Sequence, residues 1–269
     1  MVRMSDRDFA GSIPEIYDRC LGPLLFRPYA EDLAGRLAVR PADRLLELAA
    51  GTGIATAEVA RAVSPGARIV ATDLQQAMLD MAARRVRAGQ VRFRTADAQE
   101  LPFGDGSFDA LFCQFGVMFL PDKDRAYRGM RRVLAGGGTL IFSVWDRIET
   151  SPIVAAVADA LARRFPDDPP RFMSRVPHGY HDPAAIREDL GAAGFTEITV
   201  ESVTLPSTAP SAREVAVGFC QGTPLRHEIV ARDATGLPAV TEAVTQAVAD
   251  RFGEAPVAAT MTALVVTAR

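Results

Sequence analysis

The stretch Leu45-Leu-Glu-Leu-Ala-Ala-Gly-Thr-Gly-Ile-Ala-Thr56 decides the fold. Its apolar start predicts a buried strand that ends at Leu48. Ala49 to Gly53 then form a tight turn of small residues, and a helix begins near Gly53. Small residues let a ligand approach the backbone closely. The free N–H groups of the new helix favour negative charge. In open α/β sheets, ligands bind outside the carboxyl ends of the strands, which is where this turn lies. A dinucleotide fingerprint would need Gly or Ala three residues after the second glycine, and this chain has Thr56 there, so that match is poor.

Outward from the turn, short apolar runs at Arg44–Leu48, Arg68–Thr72, Val91–Arg94, Ala110–Cys113 and Thr139–Val144 alternate with amphipathic stretches such as Gln75–Ala88 and Asp122–Leu134. This alternation predicts βαβ units and a parallel sheet, with right-handed crossovers placing helices on both faces. Ser64-Pro-Gly, Gly104-Asp-Gly-Ser and Ala135-Gly-Gly-Gly punctuate it. Before this core, Ile13 to Val39 carries apolar residues at helical spacing. After it, a helix pattern over Ile153–Phe165 meets a Pro-rich break at Pro166–Pro170. Glu197–Leu205 and Thr262–Ala268 read as further strands, and Pro238–Phe252 reads as a helix.

The chain has 269 residues, 48% hydrophobic and 23% charged, and its net charge of −3 gives no bulk attraction to a phosphate backbone, so nucleic acid is not an expected partner. Cys20, Cys113 and Cys220 imply neither a disulfide framework nor zinc spacing. No apolar run approaches ~20 residues, the length that spans a bilayer, so the expected setting is cytoplasmic with no membrane contact. The expected organisation is a single domain over 1–269. It comprises a helical cap (1–43), a ligand-binding core (44–146), a lid insertion (147–195) and C-terminal strands and helices (196–269).

Two acids sharpen the ligand. Asp73 closes the second strand in Ile69-Val-Ala-Thr-Asp-Leu, where a carboxylate can accept hydrogen bonds from both hydroxyls of a ribose. Asp97 follows the third strand, where it can accept a bond from the exocyclic amine of adenine. Either acid alone is more often a helix cap or a solvated loop residue. Their order at successive strand ends is far more specific.

From Leu45 to Asp146 the sequence resembles the class I S-adenosylmethionine (SAM)-dependent methyltransferases, near the ubiquinone/menaquinone-biosynthesis C-methyltransferases. Five pieces in order carry the resemblance: Leu45–Gly53; Ala71-Thr-Asp-Leu with Met78-Leu79; Ala96-Asp-Ala-Gln-Glu-Leu-Pro-Phe; Ser107-Phe-Asp-Ala-Leu-Phe-Cys-Gln-Phe-Gly; and Met130-Arg-Arg-Val-Leu-Ala-Gly-Gly-Gly. The chain departs at Ala49, where the family usually has glycine. The resemblance implies a Rossmann-like seven-stranded sheet with its last strand antiparallel, helices on both faces and a helical lid. It implies SAM as cofactor, S-adenosylhomocysteine as product and a small-molecule methyl acceptor.

The resemblance also implies residue roles. Glu47 orients toward the methionine amino group, while Ala49, Gly51, Thr52 and Gly53 form the loop against the methionine part. Asp73 holds the ribose, and Leu74 and Met78 lie against adenine. Asp97 and the Ala98 N–H fix the adenine edge. Gln114 and Phe115 face the sulfonium, and Tyr17 closes over the methionine end. The His178-Gly-Tyr180-His181-Asp182 segment falls where the family lines its acceptor pocket, so His178, Tyr180 and His181 are candidate base or orienting residues. Two histidines and one Asp lack a third convincing metal ligand. Phe115, Met118, Phe119 and Arg171-Phe-Met-Ser-Arg-Val-Pro suggest an apolar or aromatic acceptor, and the branch favours C- or O-methylation. Two alternatives keep the fold: a SAM-binding protein with a non-methylating, pericyclase-like activity, and a regulatory SAM-binding module. A homodimer is compatible with each reading.

Overall fold

The computed structural model describes residues 2–7, 9, 11, 13–39 and 42–269. In chain order its main elements are α1 (Ile13–Ile16), a π-helical stretch (Tyr17–Phe26), α2 (Arg27–Ala38), β1 (Arg44–Glu47), α3 (Ile54–Ala62), β2 (Arg68–Asp73), α4 (Gln76–Arg85), β3 (Val91–Thr95) and β4 (Phe108–Gln114). There follow α5 (Lys123–Val133), β5 (Leu134–Trp145), α6 (Pro152–Arg164), α7 (Phe172–Arg175), α8 (Pro183–Ala192), β6 (Ile198–Ala209), α9 (Ala212–Gln221), α10 (Leu225–Arg232), α11 (Leu237–Phe252) and β7 (Val257–Ala268).

The chain forms two compact units. The core unit gathers Tyr29–Val144, Tyr180–Val203 and Ala263–Arg269; the second gathers Met1–Pro28, Trp145–Gly179 and Thr204–Thr262. Residues 180–195, the later part of the expected lid, therefore cluster with the core unit. The seven strands run in the order β3-β2-β1-β4-β5-β7-β6, with β7 antiparallel, as the family resemblance implied. The unit boundary falls within β6 and within β7.

In the core unit, β1 pairs in parallel with β2 on one side (Leu45 opposite Ile69) and with β4 on the other (Leu45 opposite Ala110). Leu45, Leu46, Ile69 and Leu111 are fully buried, as central strands covered on both faces require. Successive strands step outward from β1 through β2 to β3, and β4 begins again on the opposite side. The crevice at such a reversal is where α/β sheets bind ligands.

Helix α5 shows how local sequence sets an element. Asp122 caps it by accepting the Arg125 N–H at 2.9 Å, and Arg131 and Arg132 complement the carbonyl end. Ala126, Tyr127, Met130 and Val133 then form one fully buried stripe.

The helical spacing read over Ile13–Val39 is met by α1, then a π-wound stretch over Tyr17–Phe26, both in the second unit, and then α2. Pro23 lacks an amide hydrogen, and its ring would meet the carbonyl four residues back in a regular α-helix; the wider winding accommodates it. Arg175 joins this unit's N-terminal turn to α10. It holds both Asp6 oxygens at 2.5 and 2.7 Å and Glu228 Oε1 at 2.9 Å. That guanidinium keeps the Asp6 carboxyl below its usual range despite burial, which acts the other way.

Replacing Asp122 with Ala is expected to cost about 1 kcal/mol in urea denaturation, and Asp122→Asn should retain most of it. Equal loss in both variants would show that charge, and not capping, is what Asp122 contributes.

Candidate functional site

The carboxyl ends of four adjacent strands of the core unit carry the candidate residues. After β1, Leu48 N–H donates to Phe112 O at 2.9 Å and Ala50 N–H to Thr72 O at 2.9 Å, so the loop leaves the sheet stitched to both neighbours. Gly51 N–H then donates to Asp73 Oδ2 at 2.8 Å. The other oxygen, Oδ1, accepts the Gln75 N–H at 2.8 Å. One carboxylate thus closes the β1 loop and turns the chain into Gln75 ahead of α4, and it keeps acceptor capacity beyond these backbone bonds. Burial raises the Asp73 pKa, opposed by backbone N–H bonds from Gln75, Gly51 and Leu74.

Ala49 sits at φ 53°, in the left-handed region that L-residues avoid. The residue is exposed, its methyl lies against Gly116, and the turn closes around it with the bonds just described. The departure from glycine therefore stores local strain without opening the loop. Phe115, which follows β4, shares this conformation at φ 54°. Its N–H donates to Ser143 O at 3.0 Å, and its ring meets Tyr29 edge-on at 5.3 Å.

Glu47 is buried at the end of β1, and its Oε2 accepts no hydrogen bond among the described residues. Burial pushes its carboxyl up to about 8, with the Thr56 hydroxyl pulling down and the Asp73 charge pushing up. At neutral pH the folded chain holds this acid largely protonated.

Leu74, beside Asp73, is one of few large apolar side chains left exposed, at 42%, whereas Met78 on α4 is buried. After β3, Asp97 Oδ1 accepts the Gln99 N–H at 2.8 Å in a local turn, and Ala98 is half-buried beside it. Gln114 ends β4 opposite Ser143 of β5. Thr52 and Gly53 lie buried where α3 starts, with Gly53 at φ 79°.

The acceptor-side candidates separate. Tyr17 and His178 belong to the second unit; Tyr180 and His181 belong to the core unit. Tyr17 stacks on Phe26 with centroids 4.8 Å apart. His178 is buried, stacked on Trp145, with Nδ1 2.7 Å from Asp146 O. A carbonyl only accepts, so Nδ1 carries the hydrogen and Nε2 is the basic nitrogen of the neutral ring. The Tyr180 hydroxyl donates to Asp189 Oδ2 at 2.6 Å and accepts from Tyr127 Oη at 3.4 Å. The Lys123 ammonium lies 4.6 Å above its ring. Burial, Tyr127 and Asp189 all hold the Tyr180 phenol above its usual range. Half-buried His181 directly precedes Asp182, whose carboxylate caps α8 by accepting the Ala184 N–H at 2.8 Å. Among the described residues, no group of three or more His, Cys, Asp or Glu side chains could hold a metal ion, and no helix is long and apolar enough to cross a membrane.

One residue of the loop's surroundings escaped the sequence reading. Arg85, in the last turn of α4, donates from Nε to Thr52 O at 2.9 Å. An arginine ending a helix reads only as a partner of the carbonyl end, and nothing in its spacing points to a loop 33 residues earlier.

A family model described as "Methyltransferase domain" matches residues 46–142. Over 193 residues the chain is 30% identical to the ubiquinone/menaquinone biosynthesis C-methyltransferase UbiE of Serratia proteamaculans. The match spans 67% of this chain and 76% of that protein. This chain belongs to the SAM-dependent methyltransferases. Its cofactor is SAM, and it stands near the ubiquinone/menaquinone C-methyltransferases, a second of which, from Ectopseudomonas mendocina, is also 30% identical, over 67% of this chain and 74% of that one. Solved structures share the fold at lower identity. The [4+2]-cyclase SpnF superposes with a TM-score of 0.63 at 22% identity, covering 100% of this chain and 97% of that one. Phosphoethanolamine N-methyltransferase 2 of Haemonchus contortus, crystallised with S-adenosylhomocysteine, gives 0.59 at 18%, covering 95% and 56%.

Two outcomes follow from the loop. The unfolded chain ionises Glu47 near 4.5 and the folded chain near 8, so the folded state binds more protons across that window. Stability should therefore fall as pH rises from 5 to 8, by up to about 1.4 kcal/mol per unit from this group. Glu47→Gln should flatten that part of the profile; parallel wild-type and variant urea profiles would refute it. Ala49→Gly should raise stability by roughly 0.5–1 kcal/mol, the left-handed penalty less the added unfolded-state entropy. Gly51→Ala, at φ 55° in open space, should lower stability, which equilibrium denaturation of both variants would check.

Proposed function

We propose that this methyltransferase transfers the SAM methyl to carbon or oxygen of a small apolar or aromatic metabolite. The observation that carries the cofactor assignment is the row of strand ends β3-β2-β1-β4, each bearing a distinct recognition group. Glu47 Oε2, buried and without a hydrogen bond among the described residues, suits an ammonium. The backbone of Ala49, Gly51, Thr52 and Gly53 suits the thin amino-acid end of the cofactor. Asp73, with lone pairs to spare, takes the ribose hydroxyls, and exposed Leu74 with Met78 gives adenine an apolar face. Asp97 and the Ala98 N–H read the adenine edge, and Gln114 and Phe115 flank the reacting end.

When bound, SAM supplies an electrophilic methyl on a sulfonium. Because charge disperses as the methyl leaves, the protein's work is chiefly alignment and exclusion of water. An acceptor that must lose a proton needs a base, and His178 is assigned that role through Nε2. Tyr180 is assigned as an orienting group, since Asp189 already takes its hydroxyl hydrogen. His181 is assigned as a second orienting group. Tyr17 is assigned to the cofactor's methionine end. The relatives' part in ubiquinone/menaquinone biosynthesis supports a quinone-like or phenolic acceptor and carbon as the first atom to test.

The protein with SAM and a panel of hydroquinones and phenols should yield S-adenosylhomocysteine and a methylated product, followed by mass spectrometry. SAM binding without S-adenosylhomocysteine from any acceptor would favour a non-methylating activity. Asp73→Ala should weaken SAM binding by about 1–3 kcal/mol; calorimetry showing unchanged affinity would remove the ribose assignment.

A further inference from the structure

We infer that Arg85 is a positioning residue for the cofactor loop, acting on the amino-acid end of the ligand through the Thr52 carbonyl. This rests on the proposed seating of SAM at the β1 loop.

Met78, Ala82 and Arg85 are spaced i, i+4 and i+7 and so form one row along α4. The row faces the loop. A Cβ added to Gly53 would lie 2.8 Å from Ala82 Cβ, so α4 packs directly on the loop where α3 begins. One turn further on, Arg85 Nε donates to Thr52 O at 2.9 Å. At its other end, α4 follows Asp73, whose carboxylate holds Gly51 N–H. The Gly51–Gly53 segment is thus held at two points, by Asp73 at the end of β2 on Gly51 and by Arg85 in the last turn of α4 on Thr52.

The two anchors differ in what they serve. Asp73 is assigned to touch the ribose, so its loss removes a ligand contact. Arg85, through Nε, binds a backbone carbonyl of the loop. Gly51 and Gly53 lie at φ 55° and 79°, and the Thr52–Gly53 peptide between them is held at both polar atoms, Thr52 O by the charged Arg85 donor and Gly53 N–H by Ala50 O at 3.0 Å. Fixing that peptide fixes the backbone of Thr52, which the proposed seating places against the methionine part. The adenine and ribose groups of β2 and β3 do not depend on it.

Calorimetry with S-adenosylhomocysteine and, separately, adenosine tests this. Arg85→Met should weaken S-adenosylhomocysteine binding about three- to tenfold, the range one hydrogen bond controls, and leave adenosine affinity unchanged. Arg85→Lys, which keeps a charged donor, should restore most of the loss. Unchanged S-adenosylhomocysteine affinity in Arg85→Met would overturn the inference. So would equal weakening of both ligands, or an Arg85→Lys variant as weak as Arg85→Met. Should Arg85→Met not fold, Arg85→Gln carries the same two-ligand comparison. A wild-type protein that binds neither ligand would instead remove the seating at the β1 loop on which the inference stands.

Discussion

The site hangs on a single carboxylate that accepts backbone hydrogens from two directions. Asp73 takes Gly51 N–H with one oxygen and Gln75 N–H with the other, each at 2.8 Å. The first bond fixes the loop that leaves β1, and the second fixes the turn that leads into α4. Because α4 then packs Ala82 under Gly53 and bonds Thr52 O through Arg85, the loop is closed by the helix that follows Asp73 in the chain. A backbone-binding acid at this point does two jobs that a side-chain-only contact could not. It holds the glycine turn while leaving lone pairs for a ligand.

Against that frame the electrostatics are spare. The deepest acid, Glu47, is held largely protonated at neutral pH by burial. An arriving ammonium would favour its charged form, so cofactor binding and ionisation are linked. The network of Tyr127, Tyr180 and Asp189, with Lys123 over the Tyr180 ring, lies in the core unit and ties α5 to the chain leading into α8. Lys123 is the only lysine in the sequence, and burial lowers its pKa while Asp189 opposes the change. These groups are committed to one another, which suits anchoring better than proton transfer.

Much of the fold was legible beforehand, and the departures have local causes. The strands read at Arg68–Thr72 and Val91–Arg94 lie within one residue of β2 and β3. The strand read to Leu205 continues through Pro206 to Ala209, because β6 is the edge of the sheet and an edge strand tolerates a missing N–H. The fifth strand starts at Leu134, ahead of the glycines that masked it, and β7 starts at Val257, ahead of Thr262.

By itself the sequence determined the α/β alternation and the acids at successive strand ends, because apolar periodicity and short turn motifs are local properties; the seven-stranded class came from the family resemblance those motifs carry. Tertiary structure alone decided the left-handed backbone of Ala49 and Phe115, the commitment of Tyr180 to Asp189, the separation of His178 from Tyr180 into different units, and the reach of Arg85 to Thr52. Each of these depends on partners many residues away or on a turn whose strain the surrounding bonds impose, and neither is written in spacing. The Glu47–Gly53 loop shows both: its residues announce a ligand turn, and only the packed α4 shows how that turn is held shut.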